Sequence, residues 1–270
     1  MKRMPSALSR ILNWGFRRYV RRFIRRNFNA VRCAGKSYTE QLPTESVICF
    51  LNHPSWWDPM TVVLMTDLLF PSRRFYAPMD AEALQHYPIL ERLGFFPVTR
   101  DSVAGAKEFL NSSQEVLKSP DSILWITPTG SFHDVRNPAP FLSGLSHLVD
   151  NKFKGSILTM AIEYTFWNER CPELLVEFAS PLNCSMLPID REQRTLVLQE
   201  SLAATQKSLA QRAIARDATA FSTLALGRAG VGGIYQSFQR MMVWIRGQRF
   251  QERHSPEPIP VQMVRPGERT

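Results

Sequence analysis

The sequence predicts an α/β fold, a mixed, mostly parallel sheet flanked by helices, preceded by a basic amphipathic helix. Three observations carry this. Short apolar runs bounded by turn residues recur at 46–51 (SVICFL), 122–126 (SILWI), 155–164 and 174–178, the pattern of buried strands. Helical patterns over 58–70, 102–118 and 191–214 alternate with them, as in layered α/β domains. Basic charge is confined: residues 1–36 hold eleven lysines and arginines and no acid, so the net charge of +9 belongs to that segment and the body is close to neutral.

At about 100° per residue, 10–28 forms a two-faced helix. Leu12, Phe16, Tyr19, Val20, Phe23 and Ile24 share one face, Arg18, Arg21, Arg22, Arg25 and Arg26 the other, with Trp14 and Arg17 at the flank. An aromatic stripe opposed by arginines suits a membrane interface, where each nearby basic residue adds roughly 1 kcal/mol toward anionic lipid. This reading makes 1–36 a membrane-interface segment, with Phe16, Tyr19, Phe23, Arg21 and Arg25 as contacts on an anionic surface. A helix packed on the core with its arginines in water fits the same pattern. Nucleic acid is not an expected partner, because a helix tracking phosphates has no use for Phe16 and Phe23.

Residues 37–220 read as the α/β domain. The strand at 46–51 leads into the helix at 58–70, which carries Pro59 in its first turn. A strand follows at 74–78. Pro88 divides 81–93 into two short helical pieces, and 94–98 is extended. The helix at 102–118 precedes the strands at 122–126, 155–164 and 174–178, and a long helix over 191–214 follows them. Residues 221–254 read as a glycine-rich loop (GRAGVGGIY), either a connector or a cradle of amides for phosphate, and a helix over 234–253. The segment 255–270, with four prolines, reads as a disordered tail.

Several classes are excluded by composition. No run of about 18 uncharged apolar residues marks a membrane-spanning helix, and no apolar core with a cleavage site follows the basic start. Cys33, Cys49, Cys171 and Cys184 have neither metal nor disulfide-framework spacing, which favours a reducing compartment. No metal is expected, since the His133–Asp134 pair supplies no convincing third ligand.

The chemistry concentrates in FLNHPSWWDPM, residues 50–60. His53 follows a strand end and Asp58 opens the next helix, where α/β sheets build their sites. A carboxylate on one ring nitrogen fixes the tautomer and raises the basicity of the other, giving a general base for a hydroxyl. The spacing also fits a plain helix cap at Asp58 beside a turn histidine. Trp56 and Trp57 either wall an acyl channel or pack the turn.

Asn52, His53, Ser55 and Asp58 resemble the first motif, N-H-x-S-x-x-D, of the glycerolipid acyltransferases, the 1-acylglycerol-3-phosphate O-acyltransferases and their relatives. GFFPVTR, with Gly94 and Arg100, resembles the second motif. TPTGSFH (127–133) resembles the third in part, through Pro128, Gly130 and Ser131. LTMAI (158–162) resembles the fourth, with Thr159 where proline is usual. The motifs run in family order. The resemblance implies transfer of a fatty acyl group from acyl-CoA or acyl carrier protein to a membrane lipid hydroxyl, at the cytoplasmic face, by a peripheral enzyme. It implies His53 as base and Asp58 as its partner. It also implies substrate-binding roles for Asn52, Ser55, Gly94, Arg100, Thr129, Gly130 and Ser131. Arg100 would hold a phosphate, and backbone amides near Gly130 an oxyanion. The acyl thioester is a co-substrate and no cofactor is implied. Thr129 stands where the family has Glu, and Phe132 where it has a phosphate-contacting Arg. Those departures admit a neutral or glycosylated acceptor, and alternatively a catalytically drifted lipid-binding or membrane-docking protein.

Overall fold

The computed structural model describes residues 7–228 except Pro138 and Asn151. The chain runs through α1 (Ala7–Asn27), β1 (Ala30–Ala34), α2 (Ser37–Glu40), β2 (Val47–Leu51), α3 (Asp58–Leu69), β3 (Arg74–Asp80), α4 (Ala81–His86), α5 (Ile89–Leu93) and β4 (Phe95–Val98). It continues through α6 (Val103–Leu117), β5 (Ser122–Ile126), α7 (Gly144–Leu148), β6 (Ser156–Thr165), β7 (Glu173–Phe178), α8 (Arg191–Ala215) and β8 (Ser222–Leu226). Local chemistry sets several boundaries. Asp80, Ser102 and Asp190 accept hydrogen bonds from the first amides of α4, α6 and α8, and Pro88 separates α4 from α5.

The described strands form one sheet in the order β4-β3-β5-β2-β6-β7-β1-β8. From β4 to β6 every pair is parallel, so these five strands end along one edge. β7 runs antiparallel to β6, β1 parallel to β7, and β8 antiparallel to β1. The period of two in β2 divides the core. Val47, Cys49 and Leu51 pack with α1 and α3 on one face, and Ile48 and Phe50 pack with α7 and α8 on the other. Burial on both faces is why β2 and β5 read as continuous apolar runs.

Two strands were absent from the sequence reading. Residues 30–34 fell within the basic segment, but the helix stops at Asn27 and AVRCA becomes a fully buried strand of the sheet. Its central Arg32 is 2% exposed, and Arg32 Nε donates to Glu173 Oε2 at 2.9 Å. Glu173 also accepts from the Asn29 amide, Arg32 reaches Thr223 Oγ1 at 3.3 Å, and the guanidinium lies over the Trp167 ring. A buried arginine persists in a strand only with such partners. β8 lies in the segment read as a loop and closes the sheet against β1.

The face of α1 that carries Val20 and Ile24 is sealed against the protein, with Phe28 just beyond it. All five residues read as membrane contacts hold intramolecular partners, Tyr19 through stacking on Phe16 and Phe23. Phe16 packs against the core, Phe23 lies 5.2 Å from the Trp57 ring, Arg21 pairs with Asp67 of α3, and Arg25 Nε donates to Leu226 O at 3.0 Å. Tyr19 is exposed, as are Trp14, Arg18, Arg22 and Arg26. The apolar stripe thus docks the helix and leaves an outer rim of aromatic and cationic side chains. Among the described residues no helix is long and apolar enough to cross a membrane. The glycine-rich stretch beyond Arg228, the helix read over 234–253 and the tail at 255–270 lie outside the described residues.

Candidate active site

β2 ends in the middle of the parallel edge, between β5 and β6, and Asn52 extends its ladder by a side chain. Asn52 Nδ2 donates to Ile162 O at 2.9 Å, and Ile162 N donates to Asn52 Oδ1 at 2.8 Å. This buried amide copies a peptide unit and fixes where the chain leaves the sheet. The side-chain amide thus braces the turn, and Asn52 also stands in the wall of the cavity beside His53. Ser55 does similar work: its N–H donates to Asp58 Oδ2 at 3.1 Å, and its Oγ accepts from Trp57 N at 3.3 Å.

The turn folds Asp58 back onto His53. His53 Nδ1 donates to Asp58 Oδ2 at 2.6 Å. The carboxylate does not cap its own helix; its bonds go to His53, to Ser55 N and to a residue from a distant strand. That residue is Tyr164, near the end of β6, whose hydroxyl donates to Asp58 Oδ1 at 2.7 Å and lies 2.9 Å from Thr61 Oγ1. Burial, then the adjacent carboxylate, push the Tyr164 phenol well above its usual range, so it remains a donor. Asp58 is 2% exposed and the His53 side chain 19%, so the carboxylate is shielded while the ring stays reachable. With Nδ1 committed, the basic position is Nε2.

The loop after β5 covers the ring. His133 N donates to His53 O at 2.9 Å, and the Phe132 ring lies 4.3 Å from the imidazole. Gly130 takes φ +67°, and its amide is spent on Thr127 O within the turn. Thr129 Oγ1 donates to Ser131 O at 3.0 Å, and Ser131 Oγ lies 2.9 Å from His133 Nε2. A cavity of about 190 Å³ opens beside His53, with Asn52, Thr129 and His133 in its wall. A larger concavity, of about 430 Å³ and lined in part by Ser46, Pro120 and Gly155, lies at the opposite ends of the strands, away from His53.

Two residues of the predicted site stand apart. Arg100 follows β4, three strands from β2, and its Nε pairs with Asp80 at 2.7 Å. Gly94 lies at the start of β4, the end remote from His53. It ends α5 at φ +112°, where an added Cβ would come within 2.1 Å of Phe75 O. It is therefore a packing and turn position. We predict that Gly94→Ala lowers stability by more than ~1 kcal/mol, measured by urea denaturation; a variant with unchanged stability and altered substrate affinity would restore it to the binding site.

Sequence reasoning missed Tyr164 and Phe132 as neighbours of the pair. Tyr164 lies 106 positions from Asp58, and its only signal was a hydroxyl near a strand end on the site edge. Removing that hydroxyl leaves a buried carboxylate short of one donor, so Tyr164→Phe should lower turnover about tenfold with little change in KM. Steady-state kinetics check this, and wild-type turnover in the variant would show Asp58 is held without it.

A parallel α/β edge carrying a His–Asp pair beside a small cavity can take a proton from a hydroxyl. Residues 30–163, about half of the chain, match the Acyltransferase family model. Among solved structures the chain is similar to the 1-acyl-sn-glycerophosphate (LPA) acyltransferase PlsC from Thermotoga maritima. The TM-score is 0.54 over 78% of this chain and 85% of that one, at 15% identity, a likeness of fold. Sequence comparison with curated proteins gave no match.

Proposed function

We propose that this protein transfers a fatty acyl group from an acyl-CoA or acyl carrier protein thioester to the hydroxyl of a membrane lipid. The observation that carries the reading is the 2.6 Å contact between Nδ1 of the partly exposed His53 ring and the shielded Asp58 carboxylate, which leaves Nε2 as the ring's basic nitrogen. The acceptor hydroxyl attacks the thioester carbonyl as His53 Nε2 takes its proton. The tetrahedral intermediate collapses with cleavage of the C–S bond, and the imidazolium returns the proton to the departing thiolate. An ester and a free thiol result, and no covalent enzyme intermediate is needed. Asp58 holds the tautomer and stabilises the transient imidazolium, as a buried carboxylate does in other His-dependent acyl transfers.

The protein acts as a peripheral enzyme at the cytoplasmic membrane face, where such thioesters are made and lipid hydroxyls are presented. The exposed rim of Trp14, Tyr19, Arg18, Arg22 and Arg26 supports this, since aromatic and arginine side chains together favour an anionic interface. The test is incubation with labelled acyl-CoA or acyl carrier protein and extracted membrane lipid. Label should enter a lipid ester, with release of one thiol per ester formed. Thiol release without any labelled lipid would mean hydrolysis, and the reading would fall.

A further inference from the structure

The cavity beside His53 has a chemical character that the family resemblance does not supply. In a mostly apolar lining its polar groups include Thr129, Asp134, Asn137, Gln199, Glu200 and Gln206, and no lysine or arginine lines it among the described residues. The nearest cation on the covering loop, Arg136, is committed to Asp134, with Nε on Oδ1 and Nη2 on Oδ2, both at 2.8 Å. That clasp is charge-neutral, and Glu163 lies within electrostatic reach of the same guanidinium. Arg100, the other cation on this edge, is paired with Asp80 three strands away.

A phosphomonoester entering this space would meet the Glu200 carboxylate and, among the described residues, no free cation in its wall. Glu200 is exposed, and a like charge with no compensating cation beside it disfavours a ligand. Hydroxyl groups find the reverse: side-chain amides offer both donors and acceptors, and a carboxylate takes strong bonds from hydroxyls. Apolar walls from Phe141, Leu196 and Ala203 suit the C–H face of a sugar or glycerol unit. The volume, about 190 Å³, is below the ~300–1,000 Å³ of pockets for drug-sized ligands. It is of a size for a headgroup and too small for a whole fatty acyl chain.

We infer that this cavity receives the uncharged polyhydroxyl headgroup of the acceptor lipid, a glycosyl or glycerol unit, and selects against a phosphomonoester. The inference rests on the acyl-transfer reading for the reaction that follows binding. In the test, neutral-detergent micelles carry equal mole fractions of a monoacyl glucosylglycerol lipid and lysophosphatidate, and the full chain receives labelled acyl-CoA. The glucosyl product should exceed the phosphatidate by about tenfold or more, and Glu200→Arg should cut that ratio by about tenfold. Equal or preferred acylation of lysophosphatidate overturns the inference, as does a ratio that Glu200→Arg leaves unchanged. If neither lipid is acylated, binding decides. The full chain with His53→Ala is titrated with methyl glucoside and with glycerol 3-phosphate, followed by saturation-transfer NMR. Glucoside binding that Gln199→Ala with Glu200→Ala abolishes supports the pocket and removes the acyl-transfer reading alone. Absence of glucoside binding overturns the pocket.

Discussion

His53→Ala should lower acyl transfer by about 10²–10⁴-fold while leaving the fold intact, the usual contribution of a positioned acid–base group. The ring is a surface-reachable side chain at the end of β2, braced from below by the Asn52 amide, so its removal opens no large core cavity. The loss should fall on turnover more than on KM, because the imidazole acts on a proton that moves only in the transition state. Far-ultraviolet dichroism and the urea midpoint establish that the variant is folded, and steady-state rates with acyl-CoA supply the comparison. A folded variant retaining wild-type turnover would remove His53 from the chemistry.

The second large effect is on stability. Arg32→Met should destabilise the protein by about 3–5 kcal/mol, because Glu173, 1% exposed, would lose a charge partner with no water to replace it. The pair joins β1 to β7, and β1 in turn holds β8, so the sheet edge should weaken as a unit. Replacing both residues, Arg32→Met with Glu173→Leu, should recover much of the loss, since no buried charge is then stranded. Urea unfolding checks this through the midpoint at unchanged slope. An Arg32→Met midpoint equal to wild type would mean that Glu173 is satisfied by Asn29 and its other partners alone.

These cases show where sequence reading succeeds and where it stops. The strands β2, β5, β6 and β7 were legible because burial on both faces leaves continuous apolar runs, and α3, α6 and α8 because caps and turn residues frame them. β1 was not legible, because AVRCA carries an arginine amid ten other basic residues and its compensation, Glu173, lies 141 positions away. The His53–Asp58 pair was legible as a local turn. Tyr164, from another strand, was not. Asn52 and Gly94, read from the sequence as substrate-binding positions, do structural work that the motif did not reveal: a side-chain amide mimicking backbone, and a left-handed turn under Phe75. The apolar face of α1 fits both membrane insertion and core docking in helical projection. The structure spends that face on the core and leaves an exposed outer rim of Trp14, Tyr19, Arg18, Arg22 and Arg26.

The central claim is that His53 and Asp58 work as one unit. A double-mutant cycle on acyl-transfer turnover tests it most directly, comparing wild type, His53→Ala, Asp58→Ala and the double variant, each shown to be folded. Residues that act as a unit are non-additive, so the double variant should be no slower than His53→Ala alone. Losses that multiply, with the double variant slower by the product of the single effects, would contradict the account.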